Sequence, residues 1–292
     1  MPKTIVTHSG SFHTDDVFAV AALLLKYPDA IVVRSRDTEV INKADIVVDV
    51  GLVYDPESKR FDHHQHGGAG VRGNGIPYAS FGLVWKALGE DLAGQESAAL
   101  IEEKLVMPID APDNGVSTYE QIFEDVRPYT IVDFIYSYFF NGYIKNKEQM
   151  YETFMTVVGV AKDLLKREIS KSRERVGGMK TVREILETVS DKRIVVLESD
   201  LPWEPVLVPI PEATYVIYPR REGNWGVKGV PSTIKGFERK KLLPLEWSGL
   251  EGKELRAISG VSDSMFCHRN RFIAAAESKE GAVKLAELAL NA

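Results

Sequence analysis

Thr4-Ile5-Val6-Thr7-His8-Ser9-Gly10-Ser11-Phe12-His13-Thr14-Asp15-Asp16 is the stretch on which the fold turns. Thr4 to Thr7 is a short β-branched run, which suits a strand. Ser9-Gly10-Ser11 is a turn. Thr14 is placed to cap a helix over residues 15–27, with Asp15 and Asp16 in the first turn, where the helix dipole favours negative charge. Pro28 stops that helix. Residues 30–34 form a second apolar run, and Thr38 to Lys43 a short helix. Ile46-Val47-Val48-Asp49-Val50 is a third run, almost continuously apolar, as in a strand covered on both faces. Strand, helix, strand, helix, strand predicts a parallel sheet with right-handed crossovers. Such sheets bind ligands at the carboxyl ends of their strands. His8 lies at one such end, and Asp49 at or near another.

The remainder of the chain alternates similarly. Residues 78–88 and 95–106 have helical spacing. Met107-Pro108-Ile109-Asp110-Ala111-Pro112-Asp113-Asn114-Gly115, with two prolines and Asn-Gly, reads as an ordered loop rather than a helix. Residues 131–143 are rich in aromatics, and 148–190 form one or two long helices, broken or bent near Gly177-Gly178. Strand-like runs then recur at 193–197, 213–218 and 225–230 among scattered prolines, before an amphipathic helix over 281–290. The expected class is α/β: a parallel sheet flanked by helices in residues 1–190, then a smaller α/β domain with a mixed sheet in 191–292, the two forming a cleft.

Composition sets limits. The 292 residues are 44% hydrophobic and 27% charged, which allows a real core and two domains. A net charge of -6 is unlike a nucleic-acid binder that relies on charge alone. It does not exclude a metal-dependent nuclease, whose bound cations offset the carboxylates of the site. Cys267 is the sole cysteine, so no intrachain disulfide forms. No apolar run is long enough to cross a bilayer, and the early first strand argues against a secretory signal. A cytoplasmic location is expected.

Asp62-His63-His64, within Phe61-Asp62-His63-His64-Gln65-His66 and ahead of Gly67-Gly68-Ala69-Gly70, is not needed to build a core. With His8, His13, Asp15, Asp49, and Asp110 or Asp113, it makes a set of nitrogen and oxygen donors without a thiolate. That set suits Mn²⁺, Mg²⁺, Fe²⁺, Co²⁺ or Zn²⁺ and argues against a structural cysteine-zinc site. Taken singly, each residue has a plainer reading. His8 is a turn histidine, Asp15 and Asp16 are helix-capping acids, Asp110 and Asp113 are turn residues, and His66 is solvent-exposed. Taken together, six ligands exceed the needs of one ion that keeps water positions open. Two ions sharing a carboxylate fit better, and Asp49 is placed to bridge. Such pairs, ~3.5–4 Å apart, stabilise both the attacking and the leaving oxygen of a phosphoryl displacement. Asp62 and His64 would then orient His63 or touch substrate, as partners of metal-bound histidines do.

These motifs, with Ile46-Val47-Val48-Asp49-Val50-Gly51 and Asp110-Ala111-Pro112-Asp113-Asn114-Gly115, resemble in order those of the MYG1 (UPF0160) family. That family looks like a distant branch of the DHH phosphoesterases, which include manganese pyrophosphatases, RecJ-type exonucleases and nanoRNases. The likeness continues through Gly82-Leu83-Val84-Trp85-Lys86, Trp203-Glu204, Asn224-Trp225-Gly226-Val227 and Ile258-Ser259-Gly260-Val261, and so covers nearly the whole chain. The resemblance implies a DHH-like parallel sheet, a site with two Mn²⁺ ions, and 3′–5′ exonuclease activity on RNA. Two departures stand out. Ordinary DHH enzymes carry aspartate-x-aspartate where this chain has His13-x-Asp15, which makes one metal position less anionic. The glycine-rich histidine motif of the usual second domain has only a loose counterpart around Gly260-Val261, Phe266-Cys267-His268 and Arg271-Phe272-Ile273.

A phosphodiester also needs cations from the protein. Arg34 and Arg36 follow the second strand. In the second domain Arg220, Arg221, Trp225, His268 and Arg271 are expected to hold the nucleotide tail. The expected reading is a metal-dependent phosphohydrolase acting on single-stranded RNA or short oligonucleotides, with Asp49, Asp62 and His64 at the reacting centre. It needs no membrane, and a homodimer is left open. One alternative is a small-molecule phosphatase for pyrophosphate, a cyclic dinucleotide or a sugar phosphate, which would need a closed pocket rather than a groove. The other is a metal-binding, RNA-associated protein without activity.

Overall fold

The computed structural model describes residues 1–139, 144, 146–234 and 236–292. Of the aromatic stretch 131–143, residues 140–143 lie outside that set. The chain divides into two compact units, Met1–Arg173 and Glu174–Ala292, and the division falls inside a long helix.

In the first unit β1 (Thr4–Thr7), α1 (Thr14–Lys26), β2 (Ile31–Arg34), α2 (Thr38–Lys43) and β3 (Ile46–Val48) follow the order expected from the sequence. β1 lies between β2 and β3 and is parallel to both, with Val6 opposite Val33 and Val47. Two short strands then extend the sheet. β5 (Arg60–Phe61) runs parallel to β3, and β4 (Tyr54–Asp55) runs antiparallel to β5 at the edge. The order β2-β1-β3-β5-β4 therefore makes a mixed sheet, not the all-parallel one expected. Strands of two residues carry no readable period, which is why the antiparallel edge escaped the sequence.

The central helix α1 is buried from Thr14 to Leu24, including both aspartates of its first turn. Its N-cap is His13, not Thr14, and the His13 amide donates to the Asp16 carboxylate at 2.9 Å. α3 (Ser80–Ala93) packs along α1, with Phe18 and Phe81 rings 5.4 Å apart. α4 (Gln95–Ile101) passes through one π turn, Glu102–Val106, into α5 (Met107–Asp113). The segment expected as a loop is thus helical. Pro108 sits in the first turn, where its missing N–H costs little. Asn114 and the left-handed Gly115 (φ 71°) end the helix. α6 (Ile131–Tyr136) is capped by Thr130 and Asp133. α7 (Lys147–Thr188) runs for 42 residues without a break at Gly177-Gly178. Gly178 has a different use: a Cβ there would lie 2.5 Å from Pro202 Cδ.

The second unit holds β6 (Ile194–Val196), α8 (Glu204–Leu207), β7 (Tyr215–Pro219), β8 (Trp225–Gly229), α9 (Gly252–Ser259), β9 (Ser264–Cys267), β10 (Ile273–Ala276) and α10 (Lys279–Asn291). Its sheet, in the order β6-β7-β8-β10-β9, is mixed, because only β6 and β7 pair in parallel. α10 lays Ala282, Leu285, Ala286 and Ala289 against the sheet. The β9–β10 hairpin was not read from the sequence, since the alanine run 274–276 has weak strand preference. Cys267 is buried in this core, which pushes its thiol up to about 11 despite Arg271. Among the described residues no helix is long and apolar enough to cross a membrane.

Candidate metal centre

Three neighbouring parallel strands end at one edge of the first sheet. His8 stands one residue beyond β1, Asp49 one beyond β3, and His63 two beyond β5. α1 brings Asp15 and Asp16 to the same place, and Asp113 is the last residue of α5. His8 Nε2 lies 3.2 Å from Asp16 Oδ2 and 3.3 Å from Asp49 Oδ2. His63 Nε2 lies 3.3 Å from Asp49 Oδ1, 3.2 Å from Asp113 Oδ2 and 3.8 Å from Asp15 Oδ2. The His8 and His13 rings are 5.5 Å apart.

Three sets of side chains offer ligand atoms within 4.8 Å of one another: His8, His13 and Asp49; Asp49, His63 and His64; His13, Asp15 and Asp113. Asp49 belongs to two of them, and so does His13. Asp49 has a left-handed backbone (φ 54°), which costs a non-glycine residue about 1–3 kcal/mol and is tolerated where the surroundings fix it. Here its N–H donates to Phe61 O at 3.1 Å, and its Oδ1 accepts from Ser80 Oγ at 2.9 Å. The Ser80 amide, at the start of α3, donates to Asp15 Oδ2 at 3.2 Å.

Four atoms at the middle of this cluster fit a cation. His8 Nε2, His63 Nε2, Asp15 Oδ1 and Asp49 Oδ2 are buried without a hydrogen-bond partner, although all but Asp15 Oδ1 have a neighbour within ion-pair range. Buried polar atoms are rarely left so. Electrostatics point the same way. Burial, then the charges of Asp49, Asp113, Asp16 and Asp110, hold the Asp15 carboxyl well above the usual range. Burial alone would lower both histidines, but Asp16 and Asp49 raise His8 to about 10, and Asp113 and Asp49 raise His63 to about 10. Burial would likewise raise Asp49, yet the paired His63 and His8 hold it below the normal carboxylate range. A buried cluster in which His8, His63 and Asp15 hold protons this tightly around an ionised Asp49 is one that divalent cations would occupy in place of those protons. The donor set of imidazole and carboxylate suits such ions.

Asp62 stands apart from the ligand sets. Its Oδ1 accepts from the His63 and His64 amides at 2.8 and 3.1 Å and lies 2.8 Å from His64 Nδ1. Its Oδ2 accepts from Leu52 N at 2.6 Å. Asp62 therefore locks the loop that carries the histidines. His64 is half exposed, with Nδ1 3.4 Å from Asp49 Oδ1. The choice between Asp110 and Asp113 divides cleanly in space. Asp113 joins the cluster, whereas Asp110 spends its oxygens on Arg72 Nη2 (2.7 Å) and Gly82 N (3.0 Å). Burial, opposed by Arg72, raises Asp110 to about 7.

The other candidates are placed as follows. Arg36 reaches His8 Nδ1 and Ser9 O, both at 3.2 Å. Arg34 lies over the Phe154 ring at 4.5 Å and donates to Gly10 O at 3.0 Å. In the second unit Arg220 donates to Asn224 Oδ1 at 3.1 Å, and Arg221 is exposed. Trp225 lies under Lys279. His268 and Arg271 form the β9–β10 turn, with Arg271 N donating to His268 O at 2.7 Å. Ser80 and Arg72 were missed. Neither has a spacing that marks it, because each acts on residues far away in the chain. Asp16, read as a helix-capping acid, also turns a carboxylate oxygen to His8.

A helix-flanked α/β sheet that gathers buried histidines and aspartates at its carboxyl edge defines a candidate divalent-metal protein. The chain belongs to the MYG1 family, described as an uncharacterised protein family (UPF0160), whose model matches residues 4–290. It is 31% identical to the MYG1 protein of Dictyostelium discoideum, covering 99% of this chain and 96% of the relative. It is 29% identical to the human MYG1 exonuclease over 99% of this chain and 86% of the relative. Identity to the MYG1 protein of Chlamydia trachomatis is 29%, over 100% and 98%. Among solved structures, a pGpG-specific phosphodiesterase from Vibrio cholerae covers 99% of both chains at 12% identity, with a TM-score of 0.31. That overlay is too loose to carry structure or chemistry across.

Proposed function

We propose that this chain is a metal-dependent phosphohydrolase, specifically a 3′–5′ exonuclease on RNA or short oligonucleotides, built on a DHH-type site for two divalent ions, Mn²⁺ foremost. The observation that carries the reading is the sharing of Asp49 between two ligand sets, each with its own histidines. Relatives of nearly full length bear the name exonuclease, which supports hydrolysis of a phosphodiester. His8, His13, Asp15, Asp49, His63 and Asp113 would hold the ions. When bound, such ions supply Lewis acidity and a nucleophile near neutral pH.

The chain's own groups do the rest. Ser80 fixes the Asp49 and Asp15 carboxylates from the start of one helix. Asp62 holds the His63–His64 loop and bonds His64 through Nδ1, leaving Nε2 to donate to a phosphate oxygen. Asp62 also raises the pKa of His64, which favours the cationic ring that a phosphate needs. Purified protein with Mn²⁺ is to be tested on end-labelled RNA, single-stranded DNA, a dinucleotide and pyrophosphate, beside Asp49→Ala. The expected result is stepwise shortening of RNA from its 3′ end that disappears in Asp49→Ala. No metal-stimulated cleavage of any substrate would overturn the enzymatic reading, and activity surviving Asp49→Ala would overturn the site.

A further inference from the structure

α2 and the turn at residues 49–52 border a cavity of about 430 Å³ that reaches His64. Its volume lies in the range of small-ligand sites, roughly 300–1,000 Å³. Asp49 and His64 form one end, so whatever occupies it meets the candidate metal centre. Of the other lining residues Asp62 sets the His63–His64 loop and Arg36 touches His8, and the rest have no part in that centre.

Leu52 is the informative one. It is 62% exposed and has a left-handed backbone at φ 58°. A lone exposed leucine is ordinary, but a bulky side chain at positive φ is not. The strain gains no core packing in return. What holds it is the Asp62 carboxylate, which accepts the Leu52 N–H at 2.6 Å. The aspartate that sets the His63–His64 loop therefore also presents an apolar side chain at the cavity's rim. Ile41 and Val50 continue that apolar wall, and the exposed Asn42 adds an amide that both donates and accepts. Arg36, beside His8, supplies a cation. Asp62 adds no free acceptor here, because Leu52, His63 and His64 already occupy its oxygens.

A cation next to a metal centre, an apolar wall and an amide match features of a nucleotide: its phosphate, the face of its base and the hydrogen-bonding groups of its base or sugar. We infer that this cavity seats the terminal nucleotide, with phosphate at the metal centre and Arg36, the base against Leu52 and Ile41, and Asn42 bonding the base or sugar. The inference rests on the phosphodiesterase reading for the role of that nucleotide, though not for its binding.

The test measures binding of adenosine 5′-monophosphate and of inorganic phosphate by calorimetry in the presence of Mn²⁺, using the full chain, Leu52→Gly and Asn42→Ala. Glycine suits the left-handed backbone, so Leu52→Gly removes the side chain without unfolding the turn. The mononucleotide is expected to bind more tightly than phosphate, and roughly tenfold more weakly to Leu52→Gly than to the parent. Asn42→Ala should also weaken it, with phosphate affinity unchanged in both. Equal mononucleotide affinity in all three proteins, or no advantage over phosphate in the parent, would overturn the proposal. RNA cleavage by the parent is a separate readout. Leu52-dependent mononucleotide binding without cleavage would remove the exonuclease reading and keep the cavity; cleavage with unaltered binding in the variants would do the reverse.

Discussion

At the residue scale, Ser80 ties the candidate centre together. One hydroxyl and one amide reach carboxylates that come from β3 and α1. Groups that orient metal ligands typically carry 10–100-fold in metal affinity. Ser80→Ala keeps the amide and the helix, and should weaken Mn²⁺ binding by roughly tenfold while leaving the melting temperature of the metal-free protein nearly unchanged. Metal titration and a thermal melt check the two halves of that statement; unchanged Mn²⁺ affinity would remove Ser80 from the centre. Much at this scale was legible in the sequence. His8, His13, Asp15, Asp49, His63 and Asp113 stood out as donor types at strand ends, a helix start, a turn, a bend and a loop, and the structure brings their side chains together. The sequence favours Asp113 over Asp110 only slightly, because both sit in one proline-rich segment. The fate of Asp110 is set by Arg72, which lies 38 residues away in the chain, and a partner that distant leaves no local trace.

At the element scale, length decided what could be read. β1, α1, β2, α2 and β3 each carry their own pattern. The two-residue strands β4 and β5 do not, and α5 hides behind its prolines. The glycine pair of α7 misled for a related reason: glycine signals both a helix break and a close approach. The two glycines should now behave differently. Nothing lies within 4 Å of a Cβ at Gly177, so Gly177→Ala should stabilise by up to about 1 kcal/mol. A Cβ at Gly178 would strike Pro202, so Gly178→Ala should destabilise instead. Urea unfolding of both variants reads the signs, and a matching gain in Gly178→Ala would show that Pro202 is free to move. Gly82 follows the same logic, since a Cβ there would meet the Asp110–Arg72 pair.

At the scale of the whole molecule, protons and metal compete. His8 and His63 have folded values raised to about 10 from 6.5, by carboxylates that outweigh their burial. A raised value gives stability that is fully present below about 6.5 and lost as pH climbs through about 10. The metal-free protein should therefore lose stability across that interval. Metal binding displaces the same protons, so Mn²⁺ affinity should rise with pH there. At about a hundredfold excess over its dissociation constant, the ion adds about 2.7 kcal/mol. Melting curves with Mn²⁺ and with a chelator, from pH 6.5 to about 8.5, should separate progressively as pH rises. Curves that stay parallel would show that these histidines do not release protons to a metal.

Cys267 has a practical consequence. The sole thiol of the chain lies in the second unit's core, and burial keeps it protonated at ordinary pH. Thiolates, not thiols, are alkylated. The natural sequence therefore behaves toward maleimides and spin labels as a cysteine-free background. A single cysteine placed on the surface, at the exposed Glu246 or Lys253 for instance, would accept a probe site-selectively without first removing Cys267.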